Sequence, residues 1–368
     1  MATTAAILST ALLGGLSVVY GPEQFRELVL KPVIESPDVA QIFTIRNGVK
    51  AKEDVLFVGK FSKITHLDAG CGSTPTTPEI PIDKLTWDPV KMEAWIAECA
   101  DELDKTFLAW GLDVGYERYD LDQALIKIKA ADQSDAQAIS YWTEFIQDQF
   151  TQALRSDIFR IGFFGNKDIT AASLTAGAAD VKNYNQVDGV FEQVFAMATL
   201  FPSVRAYTIA ANATADQELA AGVSKAIFRA LVKNAPRHLK RDPDRMILCT
   251  QSIADNWADY REDNDNVSES WVLQETGIEG PKYRKVPIIP VDEWDEILET
   301  DFNVADQVDL PHRAILTTKR NLQLGFDSYD AATQVAAWFN METKMNHMRS
   351  NFKFDVKVMS KDLVAAAY

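Results

Sequence analysis

Apolar residues at three- and four-residue steps mark the helices of this chain, and alternating apolar residues mark its strands. The longest helical stripe runs Ile139, Trp142, Ile146, Phe150, Ala153, Leu154 and Ile158, with Gln147, Asp148, Gln152 and Arg155 on the other side. It predicts a helix over 135–161, capped by Asp135. At ~1.5 Å per residue that helix is ~40 Å long, the length of a structural spine. Met92, Trp95, Ile96, Cys99, Leu103, Phe107 and Trp110 predict another helix over 88–110, with Asp88 as N-cap, Pro89 in its first turn and Gly111 as its stop. Val187 to Leu200 reads as helix. So does 214–235, where Thr214 and Gln217 form a capping-box pattern and Pro236 ends the run. Lys233 to Arg245 reads as a charged link, and the tryptophans at 95, 110, 142, 257, 271, 294 and 338 as packing anchors.

The strand signals are shorter. Ile42 to Ile45 runs into the turn pair Asn47-Gly48, and Val55 to Val58 follows. Residues 68–83 then hold Gly70, Gly72 and prolines at 75, 78 and 81. The segment 46–87 is therefore expected to be a long, exposed, hairpin-like excursion, which a compact domain rarely carries without a task. A short strand is expected around Ala124 to Ile128. Met246 to Cys249 reads as a buried strand followed by a short helix through Tyr260. Val286-Pro287-Ile288-Ile289-Pro290 is broken by proline and reads as an edge or irregular strand. Ala314 to Thr318 and Leu322 to Phe326 read as a strand pair across Lys319-Arg320-Asn321. Near the end, Phe352, Phe354, Val356 and Val358 alternate with Lys353, Asp355 and Lys357, a period-two strand. Helices and strands mix without βαβ alternation, so the predicted class is α+β.

Composition narrows the function classes. Of 368 residues, 47% are hydrophobic and 24% charged, which excludes disorder and coiled coil as the dominant class. Lys and Arg number 37 against 53 Asp and Glu, a net charge of −16. That balance argues against a protein that grips nucleic acid through a basic face, although a basic patch is compatible with an acidic whole. Cys71, Cys99 and Cys249 form no disulfide framework and suit a reduced, intracellular setting. Residues 5–19 are almost all small or apolar, yet no Lys or Arg precedes Arg26. The run is also too short to cross a membrane. An N-terminal arm packed against a neighbouring subunit is expected there.

Candidate chemistry is sparse. His66, His238, His312 and His347 stand in no metal-ligand spacing, and structural or surface roles are expected for them. The stretch Gly162-Phe163-Phe164-Gly165-Asn166-Lys167 is wrongly spaced for a phosphate loop and reads as a helix stop followed by a loop. Gly70-Cys71-Gly72-Ser73 places a thiol in a loop with no supporting histidine motif. The acidic loop 262–266 fails the calcium-loop pattern at Val267. No catalytic, cofactor-binding or metal residue is assigned.

The order of parts carries more. An N-terminal arm, a long extended hairpin, a spine helix, a mixed α/β block and a returning strand together resemble the major capsid protein of tailed bacteriophages, the Hong Kong 97-like fold. Local stretches resemble that family too: Asp242 to Ser252 running into a helix with Trp257, Glu279-Gly280-Pro281 to Pro290, Arg313 to Thr318 with Asn321-Leu322 and Gly325, and Arg349 to Val358. The resemblance covers roughly residues 40–360 and is weakest at the extra helix 88–110. It implies an arm at 1–45, an extended loop at 46–87, a peripheral domain at 88–184 with the spine helix 135–161, an axial domain at 185–313, and return strands at 314–368. It implies a structural, non-enzymatic protein of the virion that assembles in the host cytoplasm into hexamers and pentamers of an icosahedral shell. That shell encloses double-stranded DNA without specific binding, with scaffold, portal and decoration proteins as further partners and no membrane or cofactor. Some members crosslink a lysine of the extended loop to a distant asparagine. Lys52, Lys60, Lys63 and Lys84 are the candidate donors here, and no motif selects an acceptor. The apolar residues Leu13, Val18, Leu56 and Phe57 would be covered across subunit boundaries. The alternatives are an encapsulin-like compartment shell and a soluble enzyme of unknown class.

Overall fold

The computed structural model describes residues 37–58, 82–122, 136–263, 271–273, 279–327, 336–340 and 345–368. The expectations for residues 5–19, for the strand near 124–128, and for His66 and Cys71 lie outside them, as does most of the acidic loop 262–266. Two large sheets organise the chain. The first has five strands: β1 (Thr44–Asn47), β4 (Val90–Cys99), β13 (Leu322–Phe326), β14 (Ala336–Asn340) and β15 (Met345–Val358). β15 is its axis. One end pairs with β13, the other with β14, and ten of its residues pair antiparallel with β4.

The second sheet has seven strands in the order β5 (Arg205–Tyr207), β16 (Ala365–Ala367), β12 (Ala314–Thr318), β6 (Arg245–Cys249), β9 (Val286–Pro290), β8 (Glu279–Tyr283) and β7 (Trp271–Leu273). Its alternating side chains feed two cores. Met246, Leu248, Ile289, Ile315 and Ala366 face the larger core, shared with the first sheet. Ile247, Cys249, Ile288, Ala314, Leu316, Ala365 and Ala367 face the smaller one. Two short ribbons complete the strands, β2 (Glu53–Val58) with β3 (Ile82–Trp87), and β10 (Asn303–Val304) with β11 (Gln307–Val308).

Helices fill the spaces between the sheets, with a further helical stretch at 118–122. α1 is Pro37–Ile42, α2 Ala100–Val114, and α3 Ala136–Phe164. α4 is Val181–Tyr184 and α5 Val190–Leu200. α6 is Val223–Asn234, α7 Arg237–Arg241, α8 Gln251–Asp263, and α9 Asp292–Asp301. The expected spine is α3. Its first half meets α2, where Phe145 packs on Phe107 and Trp110 at 5.5 and 5.3 Å. Its last turns bury Leu154, Ile158, Phe159 and Phe163 in the larger core with α5 and α9. α6 and α8 cover the opposite face of the seven-stranded sheet through Ile227, Phe228, Leu231, Ile253 and Trp257. No described helix is long and apolar enough to cross a membrane.

Several expectations fail, each for a physical reason. Residues 88–110 are not one helix: β4 takes 90–99 and α2 begins at Ala100, running through Gly111 to Val114. Met92 is buried while Lys91, Glu93 and Trp95 are exposed. That is a period-two pattern, and a ten-residue antiparallel partner overrides the helical spacing. Trp95 is 57% exposed, whereas Trp110, Trp257 and Trp294 are buried. Asp88 caps no helix, and its N–H donates to the Asp355 carboxylate at 2.7 Å.

β12 and β13 are not a pair; a 3-10 turn at Lys319–Asn321 sends them into different sheets. The segment 314–368 therefore divides, with β12 and β16 in the seven-stranded sheet and β13 to β15 in the other. β9 is an interior strand, since Pro287 and Pro290 stand beside the hairpin turn and at the last position, leaving Ile288 and Ile289 paired with β6. Arg284 and Lys285, both at positive φ, make the two-residue turn joining β8 to β9. The helix over 214–235 starts at Val223, because Gln217 takes a left-handed backbone and its side chain bonds β11 instead. The charged link 233–245 contains α7.

Candidate functional site

The described residues hold no group of three or more His, Cys, Asp or Glu side chains placed to bind a metal. The chemistry-bearing residues fall instead into buried structural networks and exposed surfaces. Gly162 to Lys167 is the end of α3 and the bend after it, as its spacing predicts. Cys249 is buried in β6, and burial pushes its thiol well above the ordinary range, so it is unreactive. Lys84 pairs with Asp54 across the β2–β3 ribbon at 2.8 Å, and Lys52 lies 3.9 Å from Asp88.

His238 is exposed on α7, and His312 is buried. His312 Nδ1 lies 2.7 Å from Ser252 Oγ, and Nε2 lies 2.7 Å from the Gln217 carbonyl. The carbonyl accepts only, so Nε2 carries the proton and Nδ1 accepts from the serine. His312 N–H also donates to Asn212 Oδ1, and Asn212 Nδ2 returns a bond to the His312 carbonyl. Burial depresses the imidazole pKa, against a smaller raising effect of the Gln217 bond, which keeps the ring neutral. A serine hydrogen-bonded to a histidine has the makings of a nucleophile and base. Here the pair ties the 209–217 loop, the start of α8 and the entry to β12 together. Spacing along the chain gives no sign of this lock, because the partners of His312 lie 60 to 100 residues from it.

A second network surrounds Arg313. Its side chain is 4% exposed and lies over the rings of Phe164, Phe191 and Phe195 at 5.2, 4.7 and 5.7 Å. Nε donates to the Leu310 carbonyl, and Nη2 to the Asp309 carbonyl and carboxylate. Burial pushes its pKa down to about 10, with Asp309 opposing, so it stays charged at neutral pH. It floors a cleft of ≈ 250 Å³ whose rim carries Asp168, Glu192 and Asp309.

The third network is acidic. Asp295 Oδ2 accepts the Gln251 N–H at the start of α8, at 2.7 Å. Burial pushes its carboxyl up to about 6; the Gln251 bond opposes this, and Glu299, Asp292 and Asp255 add to it. The folded state thus binds this proton more tightly than the unfolded chain, whose carboxyl has the ordinary value of 3.8. The stability so gained is complete below that value and is lost as pH rises through about 6. Asp295→Asn keeps an oxygen acceptor and removes the charge. It is expected to raise stability by about 1 kcal/mol at pH 7.5, the partial exposure of the group having been discounted. The gain should vanish at pH 4. Thermal melts at both pH values check this, and a loss of stability at pH 7.5 would contradict it.

Exposed apolar side chains form the remaining feature. Leu56 and Phe57 of β2 are 60% and 38% exposed, and Leu200 at the end of α5 is 73% exposed. β2 pairs with β3 and with no other strand among the described residues. Its base is fixed by Trp87, fully buried, under the Arg46 guanidinium at 5.3 Å. A Cβ on Gly325 would stand 2.5 Å from the Trp87 ring, so β13 admits this indole only because residue 325 lacks one. Trp87 thus roots the ribbon, and Leu56 and Phe57 stand exposed on it.

No protein-family description matches the chain, and no curated protein does. Solved structures do. A chain of the satellite phage P4 procapsid including size determination (Sid) protein is 11% identical, with 92% of this chain and 96% of that chain covered and a TM-score of 0.51. A chain from the capsid of the native GTA particle is 10% identical over 95% of this chain and 90% of that one, with a TM-score of 0.43. One from the bacteriophage PhiM1 mature capsid is 14% identical over 89% and 85%, with a TM-score of 0.46. At such identities the first of these likenesses is one of fold. The chain has the α+β, Hong Kong 97-like fold that its order of elements resembles.

Proposed function

We propose that this chain is a structural coat protein that assembles with itself into the icosahedral shell around packaged double-stranded DNA of a tailed phage. The observation that carries this reading is the likeness in fold to a P4 procapsid chain over 92% of the present one. The exposed β2–β3 ribbon supports it, because a two-stranded ribbon with apolar side chains in water is a poor element for a solitary molecule. In this reading 1–45 is the arm and 46–87, with β2 and β3, the extended loop. The peripheral domain holds α3 and the β15-centred sheet, and the axial domain is the seven-stranded sheet with α6 to α9. The partners are copies of the chain in hexamers and pentamers, with scaffold, portal and decoration proteins beside them and no enzymatic activity. An encapsulin-like compartment is the less favoured use of the same fold.

Light scattering and negative-stain microscopy of the purified chain across salt concentrations test the reading. Closed shells, tubes, or hexamers with pentamers are expected. A species that stays monomeric or dimeric at every salt concentration, with crowding agents and with a co-expressed scaffold, overturns it.

A further inference from the structure

An acidic chain carries one strongly basic face. Between residues 223 and 241 there are six Lys or Arg residues and no Asp or Glu. Lys225, Arg229 and Lys233 follow at four-residue steps along α6, so they form one stripe ~12 Å long. Arg237, Lys240 and Arg241 on α7 extend it. All six are exposed, and among the described residues none is within ion-pair distance of a carboxylate. Lys225 stands in the first turn of α6, where the helix dipole disfavours a cation, and no acid accompanies it there. Lys233, Lys240 and Arg241 stand in last turns, which the dipole favours, so helix stability accounts for those three and leaves Lys225, Arg229 and Arg237 unexplained.

The complementary face is in the same chain. α9 has six acids and no base. Glu293 is paired to Arg155, Asp301 to the Tyr184 hydroxyl, and Asp295 to the start of α8. Asp292, Glu296 and Glu299 are left, exposed and without an ion pair among the described residues, in a stripe ~10 Å long. Glu299 stands in the last turn, where the dipole disfavours an anion and no base is present. The two stripes match in length and oppose in sign. They cannot meet within one molecule, because α6 and α7 pack on one face of the seven-stranded sheet and α9 on the other.

We infer that the α6–α7 face of one copy docks on the α9 face of a second copy in a head-to-tail contact. Such a contact joins two different surfaces and closes into a ring when the rotation permits. The inference rests on the coat-protein reading for the presence of many copies. A nucleic acid is the competing occupant of a basic face. The charge of −16 repels a polyanion and a second copy alike, but the second copy brings a stripe of matching length, three exposed carboxylates on α9 against the three cations of α6.

Sedimentation velocity at low and high salt tests the contact. Three variants are compared with the parent: Arg229→Glu with Lys233→Glu, Glu296→Lys with Glu299→Lys, and all four together. All four positions are exposed, so the variants should fold like the parent; Glu299→Lys also replaces a charge that raises the Asp295 carboxyl, so melting temperatures should be no lower than the parent's. Association of the parent should weaken as salt rises, and each single-face variant should need about tenfold more protein to associate. The fourfold variant, with its charges exchanged, should recover. A single-face variant that associates like the parent, or a fourfold variant that does not recover, overturns the contact. If shells form normally in both single-face variants, the contact falls and the coat reading stands. If the parent never associates at any salt, with crowding agents and with a co-expressed scaffold, both fall. If the Arg229–Lys233 variant loses binding to a double-stranded DNA probe yet associates normally, the face belongs to nucleic acid and the contact is overturned.

Discussion

Gly189→Ala is expected to lower the melting temperature by about 3–5 °C, while Gly162→Ala, at the end of the same structural spine, should leave it unchanged or raise it. Gly189 sits at φ −71°, a conformation open to any residue, so the constraint on it is space. A Cβ there would stand 2.7 Å from the carbonyl carbon and oxygen of Phe163 and 2.9 Å from the Gly165 nitrogen. These are backbone atoms, which no rotamer change can move aside. Gly189 N–H also donates to the Gly165 carbonyl at 2.7 Å, so the two segments are bonded where they touch. Separating them shifts the end of α3 against the start of α5. Phe163 lies there against Phe43, Phe191 and Trp294 at 5.0, 5.9 and 4.8 Å. Displacement of such a cluster costs on the order of 2–4 kcal/mol. At Gly162 the nearest atoms to an added Cβ are side-chain carbons at 3.8 and 3.9 Å, an ordinary contact. Alanine inside a helix is then favoured over glycine by about 0.5–1 kcal/mol. Melts of the two variants side by side check the claim; a destabilised Gly162→Ala beside an unaffected Gly189→Ala would refute it.

What could be read ahead of the structure followed from how long each pattern persists. α3 repeats its apolar step over many turns, and the end of β15 alternates over seven residues, so each period is unambiguous. Residues 90–99 satisfy both periods at once, since Met92 and Ile96 are four apart and also on one side of a strand. The long partner β15 decided between them, and that partner lies some 250 residues away. Partners outside the local stretch likewise hid the division of β12 and β13 between sheets. Each has an apolar strand sequence, and nothing in Lys319-Arg320-Asn321 says whether the chain turns back or passes on. Prolines in β9 marked an edge strand by a sound rule, but they occupy its ends, and its two isoleucines are paired within the sheet. The His312–Ser252 lock and the Arg313 floor are products of tertiary folding alone. By contrast, the exposed ribbon was legible because it depends on local composition, prolines and glycines beyond an apolar strand.

A chain carrying Leu56→Asp with Phe57→Asp is expected to fold like the parent and to form no closed particles at concentrations where the parent does. Neighbouring strand residues point to opposite faces, so Leu56 and Phe57 make both faces of the β2–β3 ribbon apolar. Neither belongs to a buried cluster, and the ribbon joins neither large sheet. Charging them therefore removes little from the folded monomer, and the melting temperature should stay within about 2 °C. Covering them on a neighbour contributes on the order of 1.5 kcal/mol each, about 3 kcal/mol for one ribbon. Loss of that amount weakens each contact about a hundredfold. Two buried carboxylates weaken it further. In a closed shell every copy contributes a ribbon, so the loss recurs at each position and closure fails before single contacts do. The exposed Lys84–Asp54 pair cannot compensate, since such pairs contribute at most about 1 kcal/mol. Circular dichroism with negative-stain microscopy separates the outcomes. Normal particles from the charged variant would remove the ribbon from the assembly contacts. An unfolded variant would show that these side chains serve the monomer after all, against their exposure.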